Sequence, residues 1–140
     1  MVVSADLDFI IEHYKNPQNF GHLENPDIVH EEGNPSCGDQ IRIELKIENN
    51  RIADVRFSGK GCAISQAAAS LLTEEIKGKT LDEVKQFDKQ KMLDLLGIEL
   101  SAMRLKCALL ALKVVKAGIY GVKGWPGEED EQEDQDRDRP

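Results

Sequence analysis

Ile41, Ile43, Leu45 and Ile47 alternate with Arg42, Glu44 and Lys46. A two-residue period places the four aliphatic side chains on one face of an extended strand and the charges on the other, one face buried and one wet. Glu48-Asn49-Asn50 then turns the chain, and residues 51–57 supply a second strand with Val55 and Phe57 on one face. The short connection predicts an antiparallel hairpin. Residues 27–30 are a short strand candidate before it. A sheet this small is stable only when its apolar face is covered.

The cover is helical. Leu7, Ile10, Ile11 and Tyr14 stand at helical spacing within residues 6–15, and Asn16-Pro17 stops the run. Residues 64–77 are rich in Ala and Leu and end at Gly78, a left-handed cap. Thr80-Leu81-Asp82-Glu83 has the spacing of a capping box. Asp88 opens a short helix through Leu96, closed by Gly97. Residues 105–120 place Leu105, Leu109, Leu112 and Ile119 near helical spacing, with Lys113 and Lys116 outward. The expected class is α+β, a small antiparallel sheet of about three strands with helices packed on one face.

Charge is unevenly spread. Residues 127–140, GEEDEQEDQDRDRP, hold eight carboxylates against two arginines, so −6 of the total −8 lies there and −2 in the other 126 residues. Having no apolar side chain, that stretch cannot offset the entropy of ordering and reads as a disordered, solubilising tail. The domain expectation is therefore 1–126 folded and 127–140 an acidic tail. The acidic balance argues against nucleic-acid binding, which needs clustered Lys and Arg. No apolar run is long enough for a membrane span, and the N-terminus lacks signal-peptide features. The expected setting is cytoplasmic, with reduced thiols.

There are three cysteines. An odd number cannot pair completely within one chain, and none sits in a C-x-x-C, which removes most of the support for a redox dithiol or a zinc finger. Cys37 lies in the turn-rich Asn34-Pro35-Ser36-Cys37-Gly38-Asp39. Cys62 lies in Gly59-Lys60-Gly61-Cys62-Ala63, and Cys107 follows Arg104-Leu105-Lys106 at the predicted start of the last helix. A lone cysteine is commonly a small buried hydrophobe. Cys37 and Cys62, however, are set among Gly, Pro and polar residues, in loops suited to close backbone approach.

Two of the thiols stand near predicted helix starts, where backbone N–H groups favour thiolate, and Lys60 and Lys106 add positive charge. Three thiolates brought together repel one another unless a cation, a cluster or protons intervene, and a soft metal is the natural resident. Asp39, reached from Cys37 across Gly38, either completes a Cys3Asp set or hydrogen-bonds its own backbone in a turn.

Cys37-Gly38-Asp39, Gly61-Cys62-Ala63-Ile64-Ser65 and Lys106-Cys107-Ala108, together with His13-Tyr14-Lys15-Asn16-Pro17-Gln18-Asn19-Phe20-Gly21, resemble the scaffold proteins of iron–sulfur cluster assembly. These are IscU, SufU and the N-terminal domain of NifU, and the resemblance covers most of residues 6–125. It implies a SufE/NifU-like α+β fold that is not itself an enzyme. It implies a labile [2Fe–2S] cluster on Cys37, Cys62 and Cys107, with Zn2+ as an alternative occupant of the same site. Sulfur would come as persulfide from a cysteine desulfurase of the IscS, SufS or NifS type. The cluster would pass to apo iron–sulfur acceptor proteins, with the scaffold a monomer or homodimer. Cys107 is the candidate first persulfide acceptor, and Lys106 tunes the local charge.

The features are mixed. Lys106 stands where IscU-type members carry histidine, as in SufU-type members, so Asp39 is the choice of fourth ligand. The separation of 45 residues between Cys62 and Cys107 lacks the SufU insertion. The Leu-Pro-Pro-Val-Lys segment by which some IscU proteins engage an Hsp70 is replaced by Leu100-Ser101-Ala102-Met103-Arg104. The alternative function is thus a zinc-dependent SufU-type sulfurtransferase. His13 and Tyr14 are read as packing or surface residues, and His22 and His30 as non-ligands. Trp125 caps the domain or anchors a partner.

Overall fold

The computed structural model describes residues 3–34 and 38–121. Cys37, Trp125 and the acidic stretch 127–140 lie outside the described residues. In chain order the elements are α1 (Val3–Lys15), β1 (Ile28–Asn34), β2 (Asp39–Glu48), β3 (Arg51–Lys60), α2 (Ala63–Ile76), α3 (Leu81–Lys85), α4 (Lys89–Leu96) and α5 (Ala102–Tyr120). The strands form one antiparallel sheet in the order β1-β2-β3.

The alternating strand behaves as its pattern requires on one face: Ile41, Ile43 and Leu45 are buried, with Ile52, Val55 and Phe57 of β3 beside them. Ile52 and Val55 share that face despite odd spacing because the register slips. Lys46 pairs Asp54 whereas Ile47 pairs Ile52, leaving Ala53 as the extra residue of a bulge. Helix α5 packs on β1 and β2, α2 packs on β3 and on α5, and α1 packs on α2. The run Ala67-Ala68-Ala69 is fully buried, so small side chains let neighbouring elements approach α2 closely. At Gly118 of α5 an added Cβ would stand 3.1 Å from His30 Cβ and 3.2 Å from Ile28 Cγ2, which is why β1 and α5 can pack so closely.

The other sheet face is not wholly wet, as its charges had suggested. Glu44 is 2% exposed because residues 19–25 fold across it. Its carboxylate accepts the Leu23 N–H at 2.9 Å and the Arg42 Nε–H at 2.9 Å, and lies 2.6 Å from His22 Nδ1. Burial alone would raise this carboxyl, but the bonds to His22, Leu23 and Arg42 outweigh it and hold the pKa at about 2.

Several boundaries differ from the sequence expectation. β1 runs to Asn34, well past residue 30, because its charged residues are paired: Glu32 bonds His30 on its own strand and Lys113 of α5. In α1, Ile10 is buried while Ile11 and Tyr14 are exposed, so a narrower face than expected meets α2. His13 instead supplies a polar contact, 2.7 Å from Ser70 Oγ. The capping box at Thr80 and Glu83, the Asp88 cap and the left-handed Gly97 form as their spacing predicts. Lys116, expected outward, is buried; its long aliphatic stem lies in the core side of α5 while its Nζ reaches the Lys85 carbonyl at 3.5 Å.

Helix α5 begins at Ala102, with the Ser101 hydroxyl accepting the Arg104 N–H. Cys107 therefore lies beyond the first turn and not at the helix start. The field of unpaired N–H groups fades within that turn, so the helix-start argument holds for Cys62 alone.

Candidate metal centre

Three elements converge on one point. Asp39 opens β2, Cys62 is the N-cap residue between β3 and α2, and Cys107 projects from α5. A carboxylate oxygen of Asp39 and the two sulfur atoms all lie within 4.8 Å of one another. Asp39 and Cys107 are each 1% exposed, whereas Cys62 is half-buried.

Asp39 is held from both sides. Gly38 N–H donates to the Asn34 carbonyl at 2.8 Å, closing the turn that leads into β2, and Asn34 pairs Asp39 in the sheet register. Asp39 Oδ1 accepts the Cys62 backbone N–H at 2.9 Å, and Oδ2 stands 3.8 Å from Cys62 Sγ. One oxygen thus fixes the cysteine's backbone while the other faces its thiol.

Gly61 makes this approach possible. Its φ is +156°, and an added Cβ would fall 2.4 Å from Asp39 Oδ1 and 2.5 Å from Ser65 Oγ. The Ser65 hydroxyl donates to the Cys62 carbonyl at 3.1 Å and lies 4.0 Å from its sulfur. Ser65 is a site residue that the cysteine positions alone do not mark. The available signal was its position three residues after a helix-capping residue, where a hydroxyl reaches back to the backbone.

The donors suit a thiophilic cation. A tetrahedral zinc site with the usual ligand distances places its donor atoms about 3.3–3.8 Å apart, and the Asp39–Cys62 pair already has that separation. Lys60 and Lys106 are exposed beside the two cysteines. His22 bonds Glu44 and His30 bonds Glu32, so neither joins the donor set.

The chain matches the family model described as the NifU-like N-terminal domain over residues 6–128. It belongs to that family. Among curated NifU-like relatives, the zinc-dependent sulfurtransferase SufU of Bacillus subtilis (strain 168) is 36% identical, covering 89% of this chain and 99% of the relative. The iron–sulfur cluster assembly scaffold protein IscU of Escherichia coli (strain K12) is also 36% identical, covering 81% and 91%. A crystal structure of a putative iron–sulfur cluster assembly scaffold protein for the SUF system, from Fervidobacterium islandicum AW-1, superimposes with a TM-score of 0.68. It is 32% identical and covers 79% of this chain and 93% of its own. The expected α+β fold with its three-stranded antiparallel sheet is therefore the fold of this NifU-like family. Among the described residues, no helix is long and apolar enough to cross a membrane.

Proposed function

We propose that this NifU-like chain is a scaffold on which a [2Fe–2S] cluster is assembled and then released, with Cys37, Asp39, Cys62 and Cys107 as its ligands. The observation that carries the reading is the convergence of Asp39, Cys62 and Cys107 from three separate elements within 4.8 Å. Three thiolates and one harder carboxylate hold iron less firmly than four thiolates. A scaffold needs that weakness because its product must leave. Zn2+ fits the same donors as an alternative occupant.

Sulfur arrives from a cysteine desulfurase persulfide. A scaffold thiolate attacks the outer sulfur and the desulfurase thiolate leaves, a redox-neutral exchange. Conversion of that sulfur to sulfide takes two electrons from an external reductant. Burial favours Cys62 over Cys107 as the first thiol the persulfide reaches, since Cys107 is 1% exposed. The scaffold is not consumed and transforms no substrate of its own; its partners are the desulfurase and apo iron–sulfur acceptors. A reducing compartment, the cytoplasm, fits thiols that must remain free.

A zinc-dependent sulfurtransferase is the second reading, favoured by Lys106 before Cys107 and by the SufU relative. Against it, the SufU alignment spans 146 positions while using only 89% of this chain's 140 residues, so that relative carries segments this chain lacks. Anaerobic reconstitution with iron, cysteine and a desulfurase separates the two. A visible [2Fe–2S] spectrum that transfers to an apo-ferredoxin supports the scaffold. Retained zinc, no cluster and faster desulfurase turnover would replace it with the sulfurtransferase.

A further inference from the structure

The first turn of α2 holds more hydrogen-bond donors than acceptors. Cys62 is its N-cap residue, yet the cysteine side chain accepts no backbone N–H. Gln66 Nε2 is buried and, among the described residues, has no partner. Ser65 is fully buried, and its hydroxyl has one proton and two acceptors within range on the same cysteine: the Cys62 carbonyl at 3.1 Å and the Cys62 sulfur at 4.0 Å. We propose that Ser65 binds the transferred sulfur: when Cys62 carries a persulfide, the Ser65 hydroxyl turns from the carbonyl to the outer sulfur and holds it. The inference rests on the persulfide step proposed above.

The carbonyl can release the hydroxyl. Gln66 N–H donates to the same Cys62 oxygen at 3.1 Å, so that oxygen stays paired after Ser65 turns away. Reach is sufficient. A sulfur–sulfur bond is about 2.05 Å long, so an outer sulfur pivoting about Cys62 Sγ comes within hydrogen-bond distance of an oxygen 4.0 Å from Sγ. Charge chooses the direction. Asp39 Oδ2 stands 3.8 Å from Sγ, and a carboxylate repels an anionic outer sulfur, which therefore turns away from Asp39 and toward the donor. Burial of Ser65 keeps water from competing for its proton, which strengthens the bond.

The exchange balances. The Cys62 thiolate attacks the outer sulfur of the incoming persulfide, a new S–S bond forms on Cys62, and the donor's S–S bond breaks. The outer sulfur gives its proton to the departing thiolate, so the negative charge ends on the sulfur beside Ser65. Nothing is oxidised or reduced overall.

The test equilibrates the metal-free full chain anaerobically with glutathione persulfide and glutathione. Alkylation followed by peptide mass spectrometry reads persulfide occupancy at Cys62 and Cys107 separately. Ser65→Ala should lower the Cys62 exchange constant about tenfold, the effect of losing one hydrogen bond to a charged group, and leave Cys107 unchanged. Ser65→Thr, which keeps the hydroxyl, should recover most of the loss. An unchanged Cys62 constant in Ser65→Ala overturns the proposal, as does an equal fall at Cys107, which a general loosening of the fold would produce. Should both variants unfold, the unmodified chain decides: the Ser65 hydroxyl proton resonance moves when Cys62 is loaded, and an unmoved resonance overturns the proposal. Loading by a desulfurase and cysteine runs in parallel. Ser65-dependent loading by glutathione persulfide without loading by the desulfurase sustains this inference and removes the desulfurase reading. Desulfurase loading that is indifferent to Ser65 does the reverse.

Discussion

Asp39 accepts the Cys62 backbone N–H on Oδ1 at 2.9 Å and keeps Oδ2 3.8 Å from the same cysteine's sulfur. The carboxylate is thus both a local backbone anchor and a member of the donor cluster. Asp39→Ala removes both functions, whereas Asp39→Asn retains a carbonyl oxygen for the N–H and loses only the anionic donor. The expected stability loss is about 1 kcal/mol for alanine and smaller for asparagine, by analogy with lost caps. Both variants keep the thiols, so both should retain a reconstituted cluster and release it several-fold more slowly to an apo-ferredoxin. Chemical denaturation and transfer kinetics check the two parts. An unchanged transfer rate in both would sink the carboxylate's role in release.

Gly61 tests the packing beneath that pair. An added Cβ collides with Asp39 Oδ1 and Ser65 Oγ, and φ of +156° strains any L side chain. Gly61→Ala should cost about 1–3 kcal/mol in stability and weaken zinc binding, because relief of the clash moves Asp39 away. Zinc competition titrations alongside a denaturation curve measure both. Full zinc affinity with unchanged stability is the contrary result.

The two described thiols should differ in reactivity. Cys62 is half-buried and Cys107 is 1% exposed, so brief alkylation of the metal-free protein should modify Cys62 first. Mass spectrometry of digests gives the order, and prior addition of zinc should protect both. Faster labelling of Cys107 would instead favour it as the first persulfide acceptor.

Acid should loosen the segment packed over the sheet. Glu44 titrates at about 2 in the folded chain against an ordinary 4.5. The unfolded state therefore binds more protons between those values, and stability falls as pH drops through that window. The stabilisation is full above about pH 5 and is worth about 3 kcal/mol. Glu44→Gln should lower stability at neutral pH and flatten the decline between pH 4.5 and pH 2. Denaturation midpoints measured across that range read it directly.

Much of this architecture is legible locally. The alternation from Ile41 to Ile47 commits one face of β2 to the core, and the Thr80–Glu83 spacing specifies a cap that forms as read. The signals fail where a distant partner changes the meaning of a residue. Glu31 and Glu32 look unlike a strand, yet β1 includes them because Arg42 and Lys113 pair with them. Glu44 looks solvated, yet His22 and Leu23 cover it. Ser101 starts α5 a turn earlier than its apolar spacing indicates, which removes Cys107 from the helix start.

The sequence by itself determined the kind of site. Cysteines in glycine-rich junctions, an aspartate beside the first, and family motifs in the right order already specify thiolate chemistry. Only the tertiary structure decided that Asp39, Cys62 and Cys107 meet. Residues 23 and 45 positions apart have no local force drawing them together. Sheet pairing brings Asp39 to the end of β3, and burial of α2 and α5 against the sheet carries Cys62 and Cys107 to the same end. It also decided their unequal exposure, because burial belongs to the packed elements and not to any one stretch of chain.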